Sequence, residues 1–391
     1  MFEDALARIL ARSDLLPAEA VALAHASGRV LREDALARTD LPPFPSSAMD
    51  GFAVRASETP GALPVALHVA AGRPAEESLP EGAAATIATG GAVPDGADSV
   101  VPIEQAAEAN GHVEIADAVR PGAHVRPRGG DVKEGATVVS AGTRLGPAQI
   151  GALAAAGVGE VTCARRPRVA VLATGSELRT PGEALEPGQI YESNRPMLAA
   201  VLVAAGADVE LLDIVRDEEA AHRAALERGL DSDVLVTSGG VSVGPHDLVR
   251  AIAAELDVEE VFWGVAVKPG KPLSFGVRGS TLVFGLPGNP VSSLVGALVF
   301  VRPALLARQG LADPGPAFEV GRIATSLRRN RHRDEFMRAR RTFVDAGVTL
   351  EPITGQESHM IVRASSADAL VHVPRGEGEI AAGENVRYVA V

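Results

Sequence analysis

Apolar positions recur at two different spacings along this chain, and the switches between them divide it into regions. Phe2, Ala5, Leu6, Ile9 and Leu10 fall on one face at helical spacing and predict an N-terminal helix. The stretch AEAVALAHAS, between Pro17 and Gly28, predicts a second helix, with proline early and glycine just past its end. From Pro45 to about Pro127 the texture changes to short runs (FAVRA, VALHVA, ATIATG, SVVPI, HVEIA) broken by Gly, Pro and Asp, the pattern of a small β-rich module. GATVVSAGTRLGPAQIGALAAAGVGEV then predicts strand, turn, helix and strand, packing back on the N-terminal helices.

From Arg166 to about Leu311 strands and helices alternate. RVAVLAT, VELLDIV, DVLVTSGG, VFWGVAV and TLVFGL read as buried strands. Helical runs lie over MLAAVLVAAG, EEAAHRAALERG, HDLVRAIAAEL and the segment after PGNP. This alternation implies α/β architecture with a doubly wound parallel sheet. From Phe318 onward FMRARRTFV, VTLEPI, ALVHVP and NVRYVAV are β again.

Composition narrows the function classes. The 391 residues exceed what one core usually holds, about 250–300. A net charge of −13 argues against nucleic acid or an anionic membrane as partner, so an anionic ligand must be met by locally concentrated positive charge or by a divalent metal. The single Cys163 excludes an internal disulfide and any multi-cysteine zinc site, and fits a reducing compartment. The acidic, amphipathic N-terminus does not read as a secretory signal, and the longest apolar run, VSSLVGALVFVRPALLA, is broken by serines, Arg302 and Pro303 and makes a poor membrane span. The expected location is the cytoplasm.

In open α/β sheets ligands bind beyond the carboxyl ends of the strands. Three glycine-bearing turns lie there: Thr174–Glu177 (TGSE), Ser238–Gly244 (SGGVSVG) and Pro287–Pro290 (PGNP). Glycine lets backbone N–H groups approach an anion, and each turn leads into a helix N-terminus. A single such turn is commonly just a tight strand-to-helix connection; three on one sheet point to a phosphate-bearing ligand. None is a Walker loop or a GxGxxG fingerprint. The fourth candidate is VKPGKP, Val267–Pro272. Only three lysines occur in the chain (Lys133, Lys268, Lys271), and two of them stand here. Lysine is a compact point charge where arginine is a planar fork, so a site for a small oxyanion prefers it. A solvated turn is the plainer alternative.

Together VKPGKP, SGGVSVG with Asp247 beyond it, and GLPGNPVSS resemble the molybdenum-cofactor-binding fold. LPPFPSSAMDGFAVR, ATGGAVPDGADSVVPIEQ and RPRGGDVKEG extend the match over essentially the whole chain. The set resembles the MoeA family of molybdopterin molybdenumtransferases, related to the E domain of gephyrin. Pro45, Phe52 and Leu248 depart from residues common in that family.

The resemblance implies an elongated subunit of four parts: a discontinuous helical linker domain (1–44 and 128–165), a β-rich module (45–127), the molybdopterin-binding α/β domain (166–311) and a C-terminal β-barrel-like domain (312–391). It implies a homodimer with its active cleft at the subunit interface, and insertion of molybdate into adenylylated molybdopterin with release of AMP. Transient contact with the molybdopterin adenylyltransferase is also expected. Mg²⁺ is the implied metal, with Asp50, Glu177 and Asp247 as ligands or catalytic carboxylates beside Lys268 and Lys271. Substrate contacts fall to Thr89, Asp131, Ser238, Gly239, Gly240, Ser242, Pro272, Pro287, Gly288, Asn289, Pro290 and Ser292. Arg338 and Ser358 complete the molybdate pocket from the barrel. Turn or cap roles are alternatives for Asp50, Asp131 and Asp247, a strand-end role for Thr89, and a solvated face for Arg338 in its arginine-rich run. Two other functions were open: the preceding adenylyltransferase, whose α/β module would stand alone, and a non-catalytic scaffold, which the lysines and carboxylates disfavour.

Overall fold

The structure, a computed structural model, describes residues 1–216, 218–240, 248–345 and 347–391. Its centre is a six-stranded sheet in the order Asp208–Leu211, Arg168–Ala173, Val234–Ser238, Thr281–Leu286, Ser274–Arg278, Glu259–Trp263. The first four run parallel and the last two are added antiparallel. Period-two alternation sends each strand's apolar residues to both faces. Val169, Val171, Val234, Val236 and Phe284 join one core with the helices Asn194–Ala204 and Pro290–Gly296. Ala170, Leu172, Leu235 and Val283 join the other with the helices Glu219–Gly229 and Leu248–Glu255. Each fully buried large apolar side chain contributes about 1.5–3 kcal/mol, enough to lock the register. That register aligns Ala173, Ser238 and Leu286, so three loops leave the sheet at one level.

The helical run Pro290–Gln309 is long and apolar enough to cross a membrane, yet 78% of its most apolar window is buried inside the protein, against the sheet. A π turn over Ala297–Val301 precedes Pro303, whose missing N–H an α-helical ladder would need.

The C-terminal strands close on themselves. Asp334–Val344 pairs with both Gly347–Pro352 and Ala369–Val373, and the circuit is completed through Phe318–Ile323 and Asn385–Ala390, giving a five-stranded barrel. Val267–Lys268 pairs parallel to Asp334–Glu335, fastening the lysine turn to the barrel. The first helix, Phe2–Leu10, seats Phe2 among Phe300, Phe318 and Phe336, with ring centroids 5.4, 6.3 and 5.1 Å away.

One expectation is corrected. The segment after Pro17 is not a helix but the strand Ala18–Ala22 and a 3₁₀ turn at Leu23–His25. The strand pairs antiparallel with Glu160–Ala164, setting Val21 opposite Val161 over a core with Leu153 and Cys163. That pairing overrides the helix propensity of an alanine-rich run.

Residues 51–115 form a separate six-stranded sheet. Gly51 opens its Gly51–Val54 strand where a Cβ would sit 2.0 Å from the Val101 carbonyl oxygen, so no other residue fits. This close approach sets the position of the preceding Asp50.

Candidate active site

The three aligned loops enclose a cleft of about 1020 Å³. Thr174, Gly175 and Glu177 come from the first strand, Ser238, Gly239 and Gly240 from the second, and Pro287–Pro290 from the third; Pro272 closes one side. The loops interlock through their glycines. Gly239 has φ +92°, and a Cβ there would meet the Thr174 carbonyl oxygen at 2.7 Å. The Gly239 N–H donates to Leu286 O at 3.1 Å, and Thr174 N–H donates to Ser238 O at 3.2 Å. The Glu177 carboxylate folds over Gly175, where a Cβ would meet Oε2 at 2.5 Å.

The barrel supplies the opposite wall. Asn289 Nδ2 donates to Ser358 Oγ at 2.9 Å, Val291 N–H donates to Ser358 O at 3.1 Å, and His359 lines the cleft. Arg338 is what shapes this loop. Only 2% exposed, its guanidinium donates to the carbonyls of Gly355, Glu357 and Met360 at 2.8, 3.2 and 3.0 Å. Burial pushes its pKa down from the ordinary guanidinium value, partly offset by the charge of Glu357. Arg338 is therefore neither a solvated arginine nor part of the cleft lining: three of its N–H groups donate to loop carbonyls, which holds the loop that carries Ser358.

The lysines separate. Lys268 Nζ pairs with Glu335 Oε1 at 3.2 Å, whereas the exposed Lys271 ammonium has no partner among the described residues and is adjacent to the cleft-lining Pro272. The Lys271 carbonyl accepts from Val265 N–H at 2.9 Å, which fixes the turn. Ser292 is 4% exposed in the helix after PGNP.

Asp50 and Thr89 meet each other, Thr89 N–H donating to Asp50 Oδ1 at 2.7 Å, in the residue 51–115 sheet region. Asp131 is exposed, its N–H donating to Leu41 O at 2.9 Å. Within one chain the structure joins none of Asp50, Thr89 or Asp131 to the cleft by a described hydrogen bond. Ser242 and Asp247 lie outside the described residues.

Sequence reasoning missed Asn194, Glu192, Ser293 and His359. Glu192, 1% exposed, accepts from the N–H groups of Asn194 and Arg195 at 2.7 and 2.8 Å and caps the helix that Asn194 begins. In sequence, YESNRP signals only a helix start.

Comparisons with known proteins agree along the chain. The MoeA N-terminal region (domain I and II) matches residues 1–157, the probable molybdopterin binding domain 170–307, and the MoeA C-terminal region (domain IV) 320–391. The molybdopterin molybdenumtransferase 2 of Mycobacterium tuberculosis is 40% identical over 382 residues, covering 94% of this chain and 93% of that protein. The Haemophilus influenzae molybdopterin molybdenumtransferase is 34% identical over 370 residues, covering 93% and 91%. The crystal structure of a molybdopterin biosynthesis MoeA protein from Pyrococcus horikoshii superposes with a TM-score of 0.81 at 32% identity, covering 100% of this chain and 98% of that one. A multi-domain subunit with an anion-type cleft on a doubly wound sheet and a C-terminal barrel is the architecture of molybdenum-cofactor biosynthesis proteins. The chain belongs to the MoeA family.

Proposed function

We propose that this chain is a molybdopterin molybdenumtransferase, an enzyme of molybdenum cofactor biosynthesis that takes molybdate and adenylylated molybdopterin and yields molybdenum cofactor and AMP. The observation that carries this reading is the convergence of loops from three parallel strands and from the barrel on one cleft, joined at the Asn289–Ser358 contact. At about 1020 Å³ the cleft has room for a nucleotide-linked pterin.

In this reading Lys271 binds molybdate as a point charge and offers one of the two protons with which an oxo oxygen leaves as water, the dithiolene thiol supplying the other as its sulfur takes the vacated place on molybdenum. Lys268, held by Glu335, keeps the turn in place and adds its field. Ser292, Ser358, Asn289 and the glycines of the cleft position the anions, and Arg338 acts through the Ser358 loop. Glu177 faces the pyrophosphate, and by their place in the sequence motif Ser242 and Asp247 are assigned to the same substrate. Asp50, Thr89 and Asp131 act on a cleft of the second subunit in a homodimer. The units at 1–44 with 128–165, 45–127, 166–311 and 312–391 are the parts this division of labour requires.

A divalent metal, Mg²⁺, fits the donor set. Among the described residues no three metal-binding side chains converge, but Mg²⁺ on a phosphate substrate takes only one or two protein carboxylates, and Glu177 lines the cleft. Glu177, with at most one further carboxylate (Asp247 of the same chain or Asp50 of the second subunit), would hold it, and it would neutralise pyrophosphate charge. The product of the adenylyltransferase is the substrate here, which favours transient contact between the two. One cysteine and a soluble biosynthetic substrate suit the cytoplasm.

The test is AMP release from adenylylated molybdopterin by the purified chain. Release should require molybdate and stop in EDTA with the fold unchanged by circular dichroism. Molybdate-independent release, or pterin adenylylation from ATP instead, would reject the reading.

A further inference from the structure

Asn194 begins the helix Asn194–Ala204 and lines the cleft, where a directional chain of hydrogen bonds holds its amide. Ser293 Oγ contacts the Pro287 carbonyl oxygen, which can only accept, so the Ser293 proton is committed there. Ser293 Oγ must then accept at its second contact, 3.3 Å from Ser238 Oγ, which directs the Ser238 proton toward Ser293. Ser238 Oγ is left to accept from Asn194 at 2.8 Å, and the other Asn194 contact, 2.7 Å to Gly288 O, also faces an acceptor. Both partners require N–H groups, so Nδ2 faces them; the flipped amide would set Oδ1 against a carbonyl oxygen. Oδ1 is thereby left as an acceptor. The residue is 8% exposed, and Oδ1 is buried with no partner among the described residues. Buried acceptors without a donor are rare, because they carry the full desolvation penalty.

A carbonyl oxygen repels phosphate and molybdate oxygens, so this atom does not serve the anionic part of the substrate. We infer that Asn194 is a specificity-determining residue, its Oδ1 accepting a hydrogen bond from a neutral N–H or O–H donor on the organic part of the substrate. The inference rests on the functional reading above, in which the nucleotide half offers ribose hydroxyls and an amino group and the pterin half offers ring N–H and amino groups.

Calorimetric binding of AMP, molybdopterin and inorganic pyrophosphate to the full chain and to Asn194→Ala tests it. Loss of one neutral hydrogen bond weakens binding roughly 3- to 10-fold. That loss is expected for whichever organic ligand carries the donor, with pyrophosphate changed less than about twofold. An equal loss for pyrophosphate means that Asn194 only clamps the loops, and unchanged binding of all three means that Oδ1 meets no ligand; either overturns the inference. AMP analogues lacking one donor each (2′-deoxy, 3′-deoxy, and the adenine amino group) examine the same bond in the unmodified protein. If the nucleotide half is the source, one analogue loses affinity with wild type and nothing further with Asn194→Ala. Failure of wild type to bind any of the three ligands would instead remove the functional reading itself.

Discussion

The Lys268 ammonium lies 3.2 Å from Glu335 Oε1, which also accepts from Asn330 Nδ2 at 3.0 Å, while the Lys271 ammonium three residues on has no partner among the described residues. Two lysines of one turn are thus electrostatically unequal. One is ion-paired with Glu335, and the other is exposed and unpaired among the described residues, next in sequence to the cleft-lining Pro272.

This inequality sets the first expected outcome. Lys271→Ala should raise the molybdate concentration needed for half-maximal AMP release at least tenfold, about 1.4 kcal/mol, and leave pterin binding within twofold. Lys271→Arg should not restore it, because a planar fork meets a tetrahedral oxyanion differently from a point charge. Lys268→Ala should act more weakly on molybdate, and partly by releasing Glu335. Steady-state assays across molybdate concentrations give the answer, and an unchanged molybdate requirement in Lys271→Ala would remove that residue from the oxyanion site.

Arg338 governs a loop rather than a contact. Arg338→Ala leaves the carbonyls of Gly355, Glu357 and Met360 without their buried donors and opens a void in the barrel end. Unsatisfied buried carbonyls cost about 1–3 kcal/mol, and the cavity adds to that. Arg338→Ala should therefore lower the melting temperature by several degrees and also weaken molybdate use, through the displaced Ser358. Lys at this position supplies charge without the fork and should recover little of either. A melting curve that superposes on wild type would contradict this role.

His372 makes the barrel junction sensitive to pH. It is 3% exposed, stacked on Phe336 at 5.2 Å and beside Phe2 and Phe318. Arg387 Nη2 lies 3.2 Å from its Nδ1, Asp334 Oδ1 lies 3.7 Å from its Nε2, and the charge of Glu3 also acts on it. Burial, helped by Arg387, pushes its pKa below the ordinary 6.5, against the pull of Asp334 and Glu3. The unfolded chain therefore takes up a proton at a pH where the folded one does not, and stability rises with pH through that window. The contribution is complete above 6.5 and is lost as pH falls toward the depressed folded value. Urea-unfolding midpoints measured from pH 7.5 down to 5 should decline in wild type and decline less in His372→Phe. Equal slopes would show that the proton is taken up elsewhere.

What could be read from the sequence follows from how local each signal is. The sheet and barrel strands declare themselves through two-residue alternation, and the cleft loops through glycines that only close backbone approach requires. Arg338 was hidden in an arginine-rich run. Its signal is positional: Asp334, Phe336 and Arg338 alternate onto the buried face of one strand, so the arginine shares a side with Phe336. The segment after Pro17 misleads because its strand partner lies some 140 residues away at Glu160–Ala164. Asn194 and Ser293 could not be found from sequence at all, since their importance lies in a hydrogen-bond chain assembled from three separate loops.

Asp50 precedes the first strand of the residue 51–115 sheet and Lys271 lies in the turn before Ser274–Arg278 of the central sheet, with no described hydrogen bond between their regions, which is what a site divided between two subunits requires of a single chain. Asp50→Asn keeps an oxygen to accept from Thr89 N–H while removing the negative charge, so its fold should survive. Alone, Asp50→Asn and Lys271→Ala should each be close to inactive. In a two-fold dimer every interface site occurs twice. If Asp50 of one subunit serves the cleft of the other, a mixed dimer gathers both defects in one site and leaves the second intact. Random exchange makes about half the dimers mixed, each with one competent site of two, so roughly a quarter of wild-type AMP release should return on mixing. If Asp50 and Lys271 act within the same chain, every site keeps one defect and the mixture stays inactive. Exchange is verified separately with differently tagged subunits, and an inactive mixture with proven exchange would place the whole site within one subunit.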